Sequence, residues 1–460
     1  MANYNQGQVN FGTPGSAFVD APDTSTRRLY DFSDRVADLA PEESPFFVYL
    51  SKVGKVPTTD SQFRFLEDRT KIAITDRSFF MQTNAAATSV GATENWTVAT
   101  ASGGSSGVTW LLKGMVIMVD AATGGGEKNH CNARIESVSS DGRTITIKWL
   151  TEPTATDIDG SSTNVQCQVI GTSFAEGSGA PDVWSQELDD DYGYTQIFKT
   201  ACEMSNTARA TVYRGYADEW QRIWNLKLRE HKVDIERAML FGQRASQSGI
   251  QYSEGIVGHI MANVTGSSVK DTGDNTSGGD YLSYTEGSAY HKTYATGEFT
   301  YDELLKDLEV LFDPARGGSS AKLALAGLPV ISYFNKVGGA AGASFVGDSL
   351  VESNTANRYN FERSVGSFGH KVMKIETVHG DLSLVKEPLF RNIASKFLCL
   401  VDLDHVSYRP LVGNGLNRDT SITTNVQQAD EDLRKDMILT EAGLEINIPE
   451  SHALLNIEDA

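Results

Sequence analysis

The sequence predicts an α+β protein built around one very long helix, with a small all-β module set into the chain ahead of it. Three observations carry that expectation. No proline occurs between Pro181 and Pro314, and inside that window the segment Ser205 to Phe241 has apolar residues at helical spacing. Between about residues 93 and 171, Gly, Ser and Thr punctuate a series of β-rich runs. From Thr300 onward, extended and helical runs alternate as in a mixed α/β unit.

Composition narrows the classes of function. The chain has 460 residues, enough for roughly two to four structural units. With 40% apolar and 22% charged residues it is an ordinary folding chain, not a disordered one. Sixty acidic against forty basic residues give a net charge of -20, which repels phosphate backbones and anionic membranes alike. The polar start Met1 to Gln6 and the longest apolar run, Leu111 to Val119, interrupted by Lys113 and Gly114, predict neither signal peptide nor membrane span. Cys131, Cys167, Cys202 and Cys399 are at least 35 residues apart, so no CxxC pair exists and reduced thiols are expected.

Taken in order, residues 1–30 are rich in Asn, Gln, Gly, Thr and Pro, with isolated Phe11, Phe18 and Leu29, and predict an arm without a core. Phe32, Val36 and Leu39 recur at helical spacing until Pro41 and Pro45 end a short helix. After Phe46 to Leu50, Gln62-Phe-Arg-Phe-Leu66 alternates as a half-buried strand does. The β module, at about 93–172, is expected to fold on its own core including Trp110, Val116, Ile145, Ile147 and Val169. Asp141-Gly142, between two of its runs, predicts a hairpin with a type I′ turn.

The periodic segment is expected to be a single helix from Ser205 to Phe241, about 55 Å long at about 1.5 Å per residue. Val212, Tyr216, Trp220, Ile223, Trp224, Leu228, Ile235 and Met239 mark its apolar face, with Trp220 fully buried. Beyond a polar loop at 264–279, Thr300-Tyr-Asp-Glu303 is a capping box that starts a helix ending before Asp313-Pro314. Lys322 to Ala326 reads as extended, Val330 to Val337 as helical, and Lys371 to Val378 and Leu382 to Val385 as extended. The end of the chain turns β again: Phe397 to Val401, Val406 to Tyr408, then Asp436 to Thr440 and Leu444 to Ile448 joined by a turn at Ala442-Gly443.

Motifs with chemical content are few. Gly103-Gly-Ser-Ser-Gly107 spells GxSxG but lies in a Gly/Ser loop, whereas a nucleophile elbow needs a strand before it and a helix after it. Gly347-Asp-Ser-Leu350 with Asp402-Leu-Asp-His405 resembles the serine and DxxH blocks of the GDSL esterases, which would make Ser349 a nucleophile, His405 its base and Asp402 the orienting group. That family places its serine early and puts Gly and Gly-x-Asn-Asp blocks before the histidine; here the serine is late and those blocks are missing, so a loop turn and a polar strand edge explain the letters better. The histidines form no HExxH or i,i+4 pair, no GxxxxGK[ST] occurs, Gly413-Asn-Gly415 lacks the rest of a dinucleotide fingerprint, and Asp430-Glu-Asp432 lacks calcium-loop spacing. No catalytic, cofactor-binding or metal-ligating residue and no cofactor is therefore assigned.

The order of segments says more. A polar arm, the Pro-flanked Val36 to Phe46, a long β excursion, Gln196-Ile-Phe-Lys-Thr-Ala-Cys-Glu-Met-Ser-Asn-Thr-Ala208 leading into a helix that ends Asp234 to Gly242, an α/β unit, and a closing Leu439 to Ile448 with Ser451-His-Ala453 together resemble a major capsid protein of tailed bacteriophages. The resemblance covers most of the chain and implies the Hong Kong 97-type shell fold. It implies 1–30 as the N-terminal arm, 31–66 as a short helix and the start of a peripheral domain, and 67–196 as an extended loop carrying the β module at 93–172. Residues 197–254 would hold the spine helix and peripheral domain, 255–396 the axial domain, and 397–460 strands returning to the peripheral domain. The module is longer than a minimal loop needs.

By the same resemblance the chain is no enzyme. Its main partner is itself, in hexamers and pentamers that close an icosahedral shell around packaged double-stranded DNA. Portal, scaffolding and decoration proteins are further expected partners, with no sequence-specific nucleic-acid binding and no membrane. The protein would be made in the host bacterial cytoplasm and reside in the virion. An encapsulin-like compartment shares the fold, but such proteins are shorter and lack a large insert; an adhesin or tail fibre would be an elongated all-β protein.

Overall fold

A computed structural model describes Phe46, Leu50 and residues 55–458, apart from 69–76, 84–88, 100–107, 109, 123–127, 152–164, 186, 214–217, 264–288, 296–298, 300, 314–318, 341–342, 347–348, 353–361 and 366–370. The expected arm, the short helix after it, Gly103 to Gly107, the polar loop at 264–279, Gly347-Asp348 and Thr300 of the capping box lie outside the described residues.

Strand β1 (Gln62–Glu67) leads into a closed six-stranded barrel of β2 (Ser78–Thr83), β3 (Thr93–Ala99), β4 (Met115–Ala122), β5 (Lys128–Val138), β6 (Thr144–Trp149) and β7 (Val165–Thr172). Around the barrel the order is β2-β3-β6-β5-β4-β7, with every pair antiparallel. The barrel takes its first strand from upstream of residue 93, where Phe79 and Met81 alternate with polar Ser78 and Gln82. Its core is self-contained: Trp96, Ile117, Val119, Ile135, Ile145, Ile147 and Trp149 are buried, while Trp110 and Val169 pack against them partly covered. Val116, expected inside, is only half-buried, because the pleat sends Met115, Ile117 and Val119 inward.

The hairpin at Asp141-Gly142 is present, but only Gly142 takes positive φ, at 67°. Gly142 N–H donates to Ser139 O at 2.9 Å and Ser139 N–H to Thr144 O at 2.8 Å. This is a type I turn followed by a left-handed glycine, not a type I′ turn. The chain returns from the barrel through β8 (Asp189–Tyr194), which pairs antiparallel with β1 in register Phe63↔Gly193 and Leu66↔Asp190. Barrel and body are thus joined through a two-stranded ribbon.

Strand β9 (Gln196–Ser205) runs directly into α1 (Asn206–Ala210), and α2 (Glu219–Phe241) follows. The single helix expected over Ser205 to Phe241 is therefore broken. Thr211, Val212 and Tyr213 are poor helix formers, and Val212 is 95% exposed. Asp218 restarts the helix by accepting from Trp220 N–H at 3.0 Å and Gln221 N–H at 3.3 Å. Trp220 sits at this new N-terminus half-buried, stacked beneath the Arg434 guanidinium at 4.8 Å, rather than in the core. The buried face belongs to the second half of α2: His231, Ile235, Glu236, Met239 and Leu240.

A small hairpin, β10 (Ala245–Gln247) and β11 (Ile250–Tyr252), precedes α3 (Ile256–Ala262) and β12 (Tyr290–Tyr294). Then come α4 (Tyr301–Leu311), β13 (Ala321–Ala326) and α5 (Leu328–Ala340), as the sequence predicts. The hairpin β14 (Ala343–Val346) and β15 (Ser349–Glu352) is followed by β16 (Glu362–Val365), β17 (Lys371–Glu376), β18 (Asp381–Lys386) and β19 (Phe397–Val401). Strands of this half build a seven-stranded mixed sheet, β12-β25-β19-β13-β18-β17-β16, in which β25 (Ala453–Ile457) returns from the end of the chain.

Alternation along β13 explains why helices cover both sheet faces. Leu323 and Leu325 join a core with Ile235, Met239 and Leu240 of α2 and Ile256 and Ile260 of α3. Ala324 and Ala326 join another with Leu304 and Leu308 of α4 and Val330 and Phe334 of α5. Residues 397–460 therefore divide between two sheets instead of returning together to one: β19 and β25 lie inside the mixed sheet.

The second sheet is β20 (Val406–Pro410), β23 (Ser421–Thr423) and β24 (Leu433–Ile446), with β9 also on β24 and the short pair β21 (Val412–Gly413) and β22 (Leu416–Asn417) beside them in sequence. The turn expected at Ala442-Gly443 does not occur; β24 runs through it for 14 residues. Gly443 is needed there because a Cβ would lie 2.5 Å from Tyr194 O and 2.8 Å from Phe63 Cε1. The glycine marks a close crossing of the ribbon over β24, not a bend.

Candidate assembly surface

The ribbon has two unlike faces. Phe63 and Glu67 are buried toward the second sheet, with the Arg409 guanidinium 5.7 Å from the Phe63 ring centre. Glu67 Oε1 accepts the Ile448 N–H at 2.8 Å. On the opposite face, alternation places Arg64, Leu66, Asp190 and Tyr192 together, with Leu188 one step along. Leu66 is 64% and Leu188 52% exposed, so the outward face carries uncovered apolar side chains around the exposed Arg64–Asp190 ion pair of 3.1 Å.

Arg244 anchors the ribbon at its base. Its guanidinium meets Asp191 at 2.6 Å, approaches Glu254 at 3.8 Å, and stacks 4.3 Å from the Tyr192 ring centre. Glu254 in turn lies 3.3 Å from His259 on α3. These contacts fix the direction in which the ribbon leaves the body.

A second uncovered region follows α2. A cavity of about 590 Å³ lies between the helix and the turn after β18, lined by Leu226, Val233, Glu236, Glu387, Leu389 and Arg391 among others. Leu226 is exposed beside it, and Ile393, on the same turn, is 93% exposed. Phe241 at the helix end packs its ring 5.8 Å from Phe390. Apolar residues that project singly are ordinary; here they border a helix face and a ribbon face that are open among the described residues.

Of the residues with a sequence-based chemical reading, Ser349 begins β15, paired with Val346 in a hairpin. Asp402 closes β19 and accepts from Ser319 N–H at 2.7 Å, Ser319 Oγ at 3.0 Å and Asp404 N–H at 3.1 Å, with Lys322 Nζ at 3.4 Å. Burial alone would raise the Asp402 pKa; the Ser319 amide and the Lys322 charge outweigh it, so the carboxyl sits below its ordinary value. His405 ends the next turn, its carbonyl accepting from Asn447 N–H at 2.8 Å. Asp402 is thus the centre of a buried structural knot, with Lys322 also donating to Ser451 O at 2.8 Å.

The four cysteine thiols are buried. Among the described residues no cluster of His, Cys, Asp and Glu could hold a metal ion, and no helix is long and apolar enough to cross a membrane. Sequence reasoning missed the ribbon's outward face and the buried Glu236. The alternation of Phe63, Phe65 and Glu67 against Arg64 and Leu66 was the available signal for the first.

A looped-out β segment, a 23-residue helix after it and a mixed α/β sheet beyond follow one another along the chain. Among solved structures, the capsid of an empty GTA particle matches with a TM-score of 0.46 and 9% identity, covering 96% of this chain and 99% of that one. A structure from Microbacterium phage Oxtober96 matches with a TM-score of 0.43 and 10% identity, covering 96% and 100%. The SrpI encapsulin complex of Synechococcus elongatus PCC 7942 matches with a TM-score of 0.36 and 12% identity, covering 59% and 77%. No curated protein matches the chain. The family described as SU10 major capsid protein matches residues 7–458, so the chain belongs to that family.

Proposed function

We propose that the protein is the shell-forming head protein of a tailed bacteriophage, assembling as hexamers and pentamers into an icosahedral shell around double-stranded DNA. The observation that carries this reading is the family match across residues 7–458. The outward ribbon face and the open flank of α2 support it, since neighbouring copies can bury such surfaces without any catalytic group. The role is mechanical rather than enzymatic, and the protein resides in the virion after synthesis in the host bacterial cytoplasm. Portal, scaffolding and decoration proteins are the further partners proposed for such a shell. The net charge of -20 suits a wall that does not adhere to its contents.

Electron microscopy of the purified protein tests this directly. Closed particles with five-fold and six-fold clusters are expected. A protein that remains a 50.0 kDa monomer under every assembly condition would overturn the reading.

A further inference from the structure

Tyr290, Lys292 and Tyr294 occupy alternate positions of β12 and so project from one face of the mixed sheet. Glu303, Lys306 and Asp307 stand at i, i+3 and i+4 on α4 and so share one face of that helix. The two faces meet. Lys292 Nζ donates to Asp307 Oδ1 at 3.1 Å and to Glu303 Oε2 at 3.1 Å, and it lies 4.4 Å from the centre of the Tyr294 ring. The Tyr290 hydroxyl donates to the same Asp307 Oδ1 at 2.7 Å. Asp307 is buried, and Tyr290, Tyr294, Leu304 and Leu308 belong to the core against which α4 packs. Asp307 Oδ2 is buried too, with no hydrogen-bond partner among the described residues. A plain ion pair leaves that oxygen stripped of water and unsatisfied, which is unfavourable.

We propose that Lys292 and Asp307 of the same copy of the chain are joined by an isopeptide bond, which the folded protein forms with Glu303 as proton carrier and the Tyr290 hydroxyl as donor to the developing oxyanion. The pair reacts as amine and carboxylic acid, after Glu303 has moved a proton from Lys292 Nζ to the Asp307 carboxyl. The Nζ lone pair attacks Asp307 Cγ and forms the C–N bond, while the carbonyl π electrons move onto Oδ1, where Tyr290 stabilises the charge. As those electrons return, the Cγ–Oδ2 bond breaks. Glu303 takes a second proton from the nitrogen and delivers it to the departing oxygen, which leaves as water. Amine and acid together bring three protons: one stays on the amide nitrogen and two leave in the water. Glu303 ends as it began, and no oxidant, reductant or cofactor is consumed.

The surroundings suit these roles. Burial raises the Asp307 pKa and so favours the neutral, electrophilic acid. The hydrogen bond from Lys306, at 2.7 Å, holds Glu303 below its ordinary pKa, as an ionised acceptor. Oδ1, the oxygen held by two donors, is the one that remains as the amide carbonyl; Oδ2, the oxygen with none, is the one that leaves. The bond fastens β12, at one end of the mixed sheet, to the helix that covers it.

Mass spectrometry of the denatured full-length protein tests this. The wild type is expected to be lighter than its residues require by one water, about 18 Da, and its digest to contain a branched peptide joining Lys292 to Asp307. Lys292→Ala and Asp307→Ala are expected at the full mass of their residues, and Glu303→Gln to remain mostly unjoined. The wild-type measurement does not depend on whether the variants fold. A wild type at full mass, a deficit that persists in Lys292→Ala, or a branched peptide that links other residues would overturn the proposal and leave these groups as a buried ion-pair network.

Discussion

Two tryptophans show how position sets the weight of a residue. Trp96 is buried in the barrel, edge-on to Trp149 at 5.7 Å, and both indole N–H groups donate to Glu94 Oε2, at 3.2 and 3.1 Å. Trp220 instead caps the start of α2 under Arg434. Trp96→Ala is therefore expected to cost about 3–5 kcal/mol, and Trp220→Ala about 1–2 kcal/mol from lost partial burial and a cation–π contact. Denaturant unfolding of both variants checks the order; a larger loss at Trp220 would mean that it is core after all. Lys322 and Asp402, both without solvent exposure, form the other high-stakes residue contact. Removing one partner of a buried pair leaves the other charge stranded, so Lys322→Met is expected to destabilise by about 3–5 kcal/mol. The Asp402 carboxyl is depressed below its ordinary value of 3.8, so its contribution is present above that pH and is lost as the solution is acidified below it. A Lys322→Met variant with the stability and acid sensitivity of the wild type would contradict this.

At the scale of elements, the barrel is the clearest separable unit. Among the described residues its buried side chains form one cluster that includes none from the rest of the body, and the strands close on themselves, so no edge must be completed from outside. Replacing residues 77–172 with a short Gly/Ser linker is expected to leave a soluble protein that still forms particles, and the excised segment is expected to unfold cooperatively by near-ultraviolet circular dichroism. Loss of all soluble protein on deletion would show that the two cores fold as one. Much of this element structure was legible in advance. The strands Lys322 to Ala326 and Phe397 to Val401, the helix after Thr300 and the β character of the module all follow from local periodicity. What escaped was non-local. The break before Asp218 is a contest between a periodic apolar face and a β-branched run with a competing N-cap. Gly443 reads as a turn until the ribbon that crosses it is known.

For the whole molecule, the decisive quantity is charge. Each copy carries sixty carboxylates against forty cations, and like-charged neighbours repel over a Debye length of about 10 Å at 0.1 M salt. The apolar faces of the ribbon and of α2 are not weakened by salt in the same way. Binding to a phosphate backbone requires clustered Lys and Arg that release counterions when they make contact. The longest runs in the sequence are pairs. Arg27-Arg28 lies outside the described residues, while Arg434 is engaged with Asp436 at 2.9 Å and with Trp220, and Lys435 with Glu203 at 2.9 Å. Unassembled subunits are therefore expected to bind duplex DNA no more tightly than about 10⁻⁴ M at physiological salt. Self-association, followed by light scattering, is expected to strengthen as salt rises from low ionic strength, because screening removes repulsion while the apolar contacts remain. Association that weakens with salt, or tight salt-sensitive DNA binding in a gel-shift titration, would mean that opposite charges meet across the subunit contacts or that a basic face collects cations which the chain-wide sum conceals.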